Sequence, residues 1–522
     1  MRTGCVSCKR GKTHGKGQTM SFESILDLKL SSYKELPRPT FFLDLNLKQI
    51  LDKINQFWTE DVTPLFYFPA DKECEDYRRD VFGDMKKPEV FALFTEFNSR
   101  MKEREKALQQ KNLVRVESQK ATWHLREVDM YCKTFVTLCE DLEKAPIESA
   151  GLVALKEELK EYLASAEFAA MKQAVDKLIE ELYSFRVVLT YENNQIVVSE
   201  GEQPRTYDDF LKKGFPGNKA ELRSPFASTA ELTNLELEVM KVMSKKHPEF
   251  FKGVVTFFQK YQTYAKEKLV RVNKEVGYYL SFVQFEKKMQ ENGFLFATPK
   301  TCEREEFSAF GLYDLALACV NISQKKPVIS NDFTYGAGEQ FFVLTGPNQG
   351  GKTTFARSLG QLIFFSKMGF DVPAASAKVP YFNHILTHFS VEESLETGRG
   401  KLKEELVRLQ PMMDSVYENT FVIINELFTT AANYDACIMG NRVLEHFIKQ
   451  NCMGIYVTHL KELSEGHKEV VSLRATLDEN RMQSYKIIRS AADDSACAVN
   501  QVNKYQLTYD QLSKRLEERR EQ

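Results

Sequence analysis

Gly346-Pro347-Asn348-Gln349-Gly350-Gly351-Lys352-Thr353 is the stretch whose reading decides the fold. It satisfies G-x-x-x-x-G-K-[ST], a loop whose glycines let successive backbone N–H groups curl around an anion while a helix N-terminus adds partial positive charge. In that reading Lys352 reaches the β/γ-phosphates as a point charge, the Thr353 hydroxyl ligates Mg²⁺, and Thr354 continues the phosphate-facing turn. The flanks agree. Gln340-Phe341-Phe342-Val343-Leu344-Thr345 predicts a buried strand before the loop, and Thr354-Phe355-Ala356-Arg357-Ser358-Leu359 a helix after it. The alternative is a coincidental glycine turn that binds no nucleotide.

Two further apolar runs belong with the loop. Thr420-Phe421-Val422-Ile423-Ile424-Asn425-Glu426 ends in acid, and Ile455-Tyr456-Val457-Thr458-His459 ends in an imidazole. An apolar strand closed by Asp-Glu is the usual second half of a phosphate-loop engine, the Asp holding the Mg²⁺ water shell and the Glu orienting the attacking water. Here Asn425 fills the first slot and Glu426 the second. Asn425 still offers a carbonyl oxygen but no negative charge, so weaker Mg²⁺ binding and slower hydrolysis are expected, with ATP binding retained. His459 is placed to donate to a phosphate oxygen. The plain alternatives are a surface or capping acid for Glu426 and a structural histidine for His459.

The rest of the chain bounds the reading. With 522 residues, 43% apolar and 28% charged, it exceeds one core, and several domains are expected. A net charge of −2 announces no polyanionic partner, so any nucleic-acid surface must be local. No run is long enough for a membrane span and no secretory signal opens the chain; ten cysteines without framework spacing fit a reducing cytoplasm, the expected location. Residues 1–19 are basic, with Cys5, Cys8 and His14 as half of a conceivable zinc site; a disordered tail before Met20 is the preferred reading.

From Ser21 onward the text is apolar. Phe41 to Leu47 leads into a helical stretch at Ile50, Leu51, Ile54 and Phe57, and residues 76–186 predict several long helices. Phe185–Tyr191 and Ile196–Val198 read as strand, turn and strand. Pro327–Phe333 reads as an edge segment feeding the loop strand, and residues 510–522 as a charged helix. Between Pro248 and Pro299, Phe250, Val254, Phe258, Tyr261, Ala265, Leu269, Val272, Val276, Tyr279 and Val283 form a sustained heptad-like stripe. This predicts one helix of about 60 Å at ~1.5 Å per residue, a lever or strut; the alternative is two helices broken near Gly277. Lys266, Lys268, Arg271 and Lys274 on it are candidate phosphate contacts, or a solvated helix face.

The residues also carry a resemblance. Gly346 to Phe355 is similar to the G-P-N-M-G-G-K-S-T-(aromatic) loop of the MutS DNA mismatch-repair family, with Gln349 and Thr353 substituted. Val372-Pro373-Ala374, Gly398-Arg399-Gly400-Lys401-Leu402 with Glu405, Asn425-Glu426-Leu427 with Asn433-Tyr434-Asp435, and Thr458-His459 resemble its later motifs. Phe42-Leu43-Asp44-Leu45 and Tyr77 to Met85 resemble its core. The resemblance implies a C-terminal α/β P-loop ATPase domain of ABC type over residues 321–510, preceded by a mostly helical core and lever over 20–320, with 511–522 as the terminal helix. It implies ATP and Mg²⁺ as cofactors, a homodimer with each nucleotide between one subunit's loop and the other's signature segment, and levers that embrace DNA without reading sequence. Gly400 and Lys401 replace the family's Ser-Thr, so backbone N–H groups or the Lys401 charge would make the contact across the dimer. The residues before Phe41 are too few for the family's mismatch-reading domains. The expected function is ATP-dependent DNA binding, in mismatch repair or on structured DNA. A nucleotide-gated scaffold for a protein or ribosome partner is the alternative.

Overall fold

The computed structural model describes residues 22–27, 36–68, 70–185, 187–192, 195–200, 234–389, 401–414, 418–478, 482–491, 508–509 and 511–513. The basic tail, Gly398 to Gly400 and most of the terminal helix lie outside these.

The helical part begins with α1 (Phe41–Asp44) and α2 (Leu47–Ile54), whose buried Phe42, Leu47, Ile50, Leu51 and Ile54 follow helical spacing. There follow α3 (Lys72–Met85), α4 (Pro88–Leu113), α5 (Glu117–Lys144), α6 (Ala150–Leu163) and α7 (Ala166–Ser184). Their starts are written in the sequence. Asp71, Ser149 and Ser165 accept from backbone N–H groups three residues on, and Pro88 opens α4. The hairpin β1 (Val187–Glu192) and β2 (Gln195–Glu200) is antiparallel, and α8 (Asn234–Lys246) comes after it.

The single long helix does not exist. The chain forms α9 (Pro248–Lys260), turns, and resumes as α10 (Glu267–Glu291). No glycine or proline marks the break. Tertiary contacts win instead: Tyr264 turns inward so that its hydroxyl donates to Glu127 of α5, the His124 ring contacts the Tyr261 carbonyl at 3.0 Å, and the Lys266 N–H donates to the Tyr131 hydroxyl at 3.2 Å. Gly277 lies mid-helix in α10 and breaks nothing. It makes room for Trp58, whose Nε1 would lie 2.3 Å from an added Cβ.

The α/β part contains β3 (Lys300–Cys302), β4 (Ser308–Leu312), α11 (Leu315–Gln324), β5 (Asn331–Thr334), β6 (Phe341–Thr345), α12 (Lys352–Lys367), β7 (Ser376–Pro380), β8 (His384–Phe389), α13 (Lys401–Asp414), β9 (Thr420–Asn425), α14 (Asn433–Lys449), β10 (Met453–Val457), β11 (Val470–Leu477) and β12 (Gln483–Arg489). The six-stranded sheet runs β12-β11-β6-β10-β9-β8, parallel from β11 to β8 and antiparallel at β12. Both faces are covered, so β6, β9 and β10 read as unbroken apolar runs. A second sheet orders β3-β7-β4-β5. The Pro327–Phe333 segment is therefore an edge, but of this second sheet, which β3 and β4 also join. One continuous apolar cluster runs from Phe22 through the helices to Ile487.

Two outcomes follow from these contacts. Gly277→Ala is expected to cost on the order of 2 kcal/mol in urea unfolding, through overpacking against Trp58, and Trp58→Ala in the same chain to recover part of it. Burial alone would push the Glu127 carboxyl up, but bonds from His124, Lys111 and Tyr264 and the Arg104 charge hold it at about 2. A carboxyl lowered on folding stabilises the fold above its unfolded value near 4.5 and loses that contribution as pH falls toward 2. Between those pH values the parent should lose up to about 3 kcal/mol more than Glu127→Gln; parallel acid limbs would contradict it.

Candidate functional site

The glycine loop joins the carboxyl end of β6 to the first turn of α12. Gly346 and Gly351 take φ of 126° and 87°, which other residues rarely adopt, and an added Cβ at Gly346 would meet Ala475 at 3.0 Å. At Gly350 the Pro347 carbonyl stands 2.9 Å from where a Cβ would be. Gln349 also sits in the left-handed region, at φ 61°. The loop is thus wound as tightly as backbone allows, with the N-terminus of α12 opening behind it. Lys352 is buried, and its Nζ donates to the carbonyls of Gly346 and Pro347 at 2.9 and 3.0 Å.

Strand order brings the other candidates in. β10 and then β9 follow β6 in the sheet, so their carboxyl ends line up along one edge. The Thr353 hydroxyl donates to the Asn425 side-chain oxygen at 2.8 Å. Glu426 follows at φ 55°, its N–H bonded to the Val457 carbonyl at 2.9 Å. His459 Nε2 lies 3.2 Å from Glu426 Oε1. A cleft of about 860 Å³ is lined by Asn348 through Phe355, by Glu426 and His459, and by Tyr485, Asn331 and Asp314. Gly346, Pro347 and Asn425 do not face it: the first two shape the loop from behind, and Asn425 is reached through Thr353.

The sequence reading missed Tyr485, Asn331 and Asp314. Tyr485 stands at φ 57° on β12, its ring 3.4 Å from a Cβ placed on Gly351, and Asn331 holds it there by accepting from the Ile487 N–H and donating to the Tyr485 carbonyl. Nothing local in the sequence marks such a long-range pairing. Glu405 has a role spacing could not reveal. Buried on α13, it accepts from the Phe428 N–H at 3.1 Å and so fixes the turn after Glu426. Beside it, burial first and the Arg408 charge second push His388 down to about 4, so the ring is neutral at pH 7.

The chemistry of the donors fits a nucleoside triphosphate with Mg²⁺. The loop and helix terminus offer N–H groups and Lys352 a cation, while Thr353 and Asn425 converge as hard oxygen donors.

These elements define a mixed helical and α/β protein with a mostly parallel sheet and a glycine loop at its carboxyl edge. Residues 342–504 match the family profile described as MutS domain V. The chain is 26% identical over 174 residues to the DNA mismatch repair protein MutS of Fervidobacterium nodosum, 32% of this chain and 21% of that protein. It is 22% identical over 329 residues to the DNA mismatch repair protein spellchecker 1 of Drosophila melanogaster, 58% of this chain and 35% of the relative. With the DNA mismatch repair protein msh-2 of Neurospora crassa it shares 28% over 148 residues, 28% and 16% of the two chains. Residues 342–504 thus carry the MutS family's domain V, and the relatives named are MutS-family proteins. The matches span about a third or less of these relatives' lengths. Among the described residues no helix is long and apolar enough to cross a membrane.

The strain at Glu426 has a measurable consequence. A left-handed non-glycine residue costs ~1–2 kcal/mol, part of which glycine's greater unfolded entropy takes back. Glu426→Gly should therefore raise unfolding free energy by up to about 1 kcal/mol while removing the acid from the cleft. A lowered melting temperature would contradict this.

Proposed function

We propose that this chain is a MutS-like ATPase whose nucleotide state gates engagement of DNA. The observation that carries the reading is the 2.8 Å bond from Thr353 to Asn425 at the foot of the glycine loop, with Glu426 and His459 bordering the same cleft. Residues 346–354 bind the phosphates, the loop glycines by N–H groups and Lys352 by charge once its Nζ leaves the Gly346 and Pro347 carbonyls. Thr353 and Asn425 hold Mg²⁺, and a bound Mg²⁺ supplies Lewis-acid stabilisation of phosphate charge. Glu426 orients or deprotonates water, and His459, 3.2 Å away, steadies its carboxylate. The exposed Tyr485 ring offers a stacking face for a base.

In the same reading residues 321–510 are the ATPase domain and 20–320 the core and lever, acting as a cytoplasmic homodimer with the Gly398 to Lys401 segment completing the partner's site. DNA is held through phosphates, independent of sequence and sensitive to salt. Mismatch repair is supported by the names of the relatives, and the profile match over residues 342–504 includes most of the strand, loop and helix that form the cleft.

One observation favours a second reading, a nucleotide-gated scaffold without DNA contact. Three of the four basic candidates at and along α10 are engaged: Lys268 pairs with Glu158 at 2.6 Å, Lys266 with Glu167 at 3.2 Å, and Arg271 with Glu275 at 3.2 Å. Those side chains make a bonded helix face rather than a phosphate channel.

Asn425 sets the turnover. Asn425→Asp should lower the Mg²⁺ concentration for half-maximal ATPase rate by about tenfold, with ATP affinity little changed, since it adds one anionic oxygen donor; an unchanged Mg²⁺ titration would remove Asn425 from the metal site. Duplex, mismatched and four-way-junction DNA should each bind with log K falling linearly in log salt, and ATP should shift the affinity. No binding at low salt would leave the scaffold reading.

A further inference from the structure

Residues Phe22 to Leu26 cross the helical part without joining any helix or strand, and their main chain is met in an unusual way. The Phe22 carbonyl accepts from Lys268 Nζ at 3.2 Å and the Glu23 carbonyl from the Arg271 guanidinium. The Ser24 carbonyl accepts from the Tyr77 hydroxyl at 2.8 Å, the Ile25 carbonyl from the Tyr279 hydroxyl at 2.7 Å, and the Leu26 carbonyl from Arg78 Nε at 2.8 Å. In return the Ile25 N–H donates to Glu275 Oε2 at 2.9 Å. Cys74 Sγ also donates to the Leu26 carbonyl at 3.2 Å, so five consecutive carbonyls are held by six different side chains. Lys268, Arg271, Glu275 and Tyr279 step by three and four along one face of α10, and Tyr77 and Arg78 come from α3. Among the described residues no backbone–backbone hydrogen bond anchors the segment.

Most of its side chains are sunk. Phe22, Ser24, Ile25 and Leu26 are buried, Ile25 completely, while Glu23 is half-buried. Side-chain capture of a main chain, with pockets for selected residues, is how proteins read short extended peptides: the main-chain bonds supply affinity and the pockets specificity.

We propose that the groove between α3 and α10 is a peptide-binding site and that residues 22–27 are its tethered ligand, bound in cis. The ligand class is a short segment of the pattern Phe-x-Ser-Ile-Leu, bent at Ile25–Leu26 where the Leu26 N–H donates to Ser24 Oγ at 2.9 Å. The groove's far wall is Arg78, which packs on the turn after α12: a Cβ on Gly369 would lie 2.5 Å from Arg78 Cβ, and Tyr278 donates to the Met368 carbonyl at 2.8 Å. The inference does not depend on what the glycine loop binds.

The test keeps the full chain and places a site-specific protease sequence between Asp27 and Leu36. A fluorescent peptide of residues 20–28 is then titrated by anisotropy before and after cutting. Cut protein should keep its melting temperature within a few degrees and take up the peptide saturably. Uncut protein should take up at least about tenfold less, because the tethered copy competes at roughly millimolar effective concentration. An Ile25→Asp peptide should bind the cut protein about tenfold or more weakly, as a charge enters a dry pocket. Tyr279→Phe, which orphans the Ile25 carbonyl, should also weaken binding about tenfold. Loss of the fold on cutting, no uptake by cut protein, equal binding of parent and Ile25→Asp peptides, or equal uptake by cut and uncut protein would each overturn the proposal.

Discussion

Helix α12 has almost no solvent-facing side. From Phe355 to Lys367 nearly every residue is buried, including the polar Ser358, Gln361, Ser366 and Lys367. Gly360 is the pivot: a Cβ there would lie 2.5 Å from Leu45 and 2.8 Å from Ile423, so helix, sheet and α1–α2 turn meet at a point where no side chain fits. Polar groups along this axis find partners. Gln361, fully buried, donates to the Leu45 carbonyl and to Asp314 and accepts from the Leu315 N–H, while Arg357 donates to the Asp44 carbonyl. At the far end Lys367 donates to the Ala70 and Phe382 carbonyls, and burial lowers it to about 8. Buried polar groups satisfied this fully fix a single arrangement. The loop at the head of α12 therefore cannot shift without disturbing residues from both parts of the chain.

Strain gathers at the same edge. Gln349, Glu426, Phe428 and Tyr485 all hold positive φ, and each borders or supports the cleft. The surrounding bonds hold these conformations: Glu426 N–H to Val457, Phe428 N–H to Glu405, Ile487 N–H to Asn331. Clusters of this kind are more common at sites that bind or react than in ordinary turns.

What the sequence revealed, and what it did not, divides by range. Strands β6, β9 and β10 were legible because buried parallel strands are unbroken apolar runs, and the glycine loop because its steric demand admits few residues. Helix starts at Pro88 and Pro248 were legible for local reasons too. The break after Lys260 was not, since it depends on Glu127, His124 and Tyr131, more than 100 residues earlier in the chain. Heptad spacing continued across it because each half buries apolar residues at helical spacing, α9 against α5 and α7, α10 against α2, α3 and α4. Within the candidate site, the loop, Glu426 and His459 were readable, whereas Tyr485, Asn331 and the support from Glu405 arise from pairing across the sheet. The basic stripe on α10 looked like a surface available to phosphates only while its acidic partners on α6 and α7 were out of view.

The Phe22–Leu26 segment also bears on the order in which the molecule can be made. Its Ile25 N–H bonds a carboxylate 250 positions later in the chain. Synthesis runs from the N-terminus, so the segment emerges long before α10 exists to receive it. Contacts of such wide sequence separation form late and slow the final steps of folding. Until then an apolar strip holding Phe22, Ile25 and Leu26 is exposed on a nascent chain, a natural target for chaperones that bind short extended apolar segments.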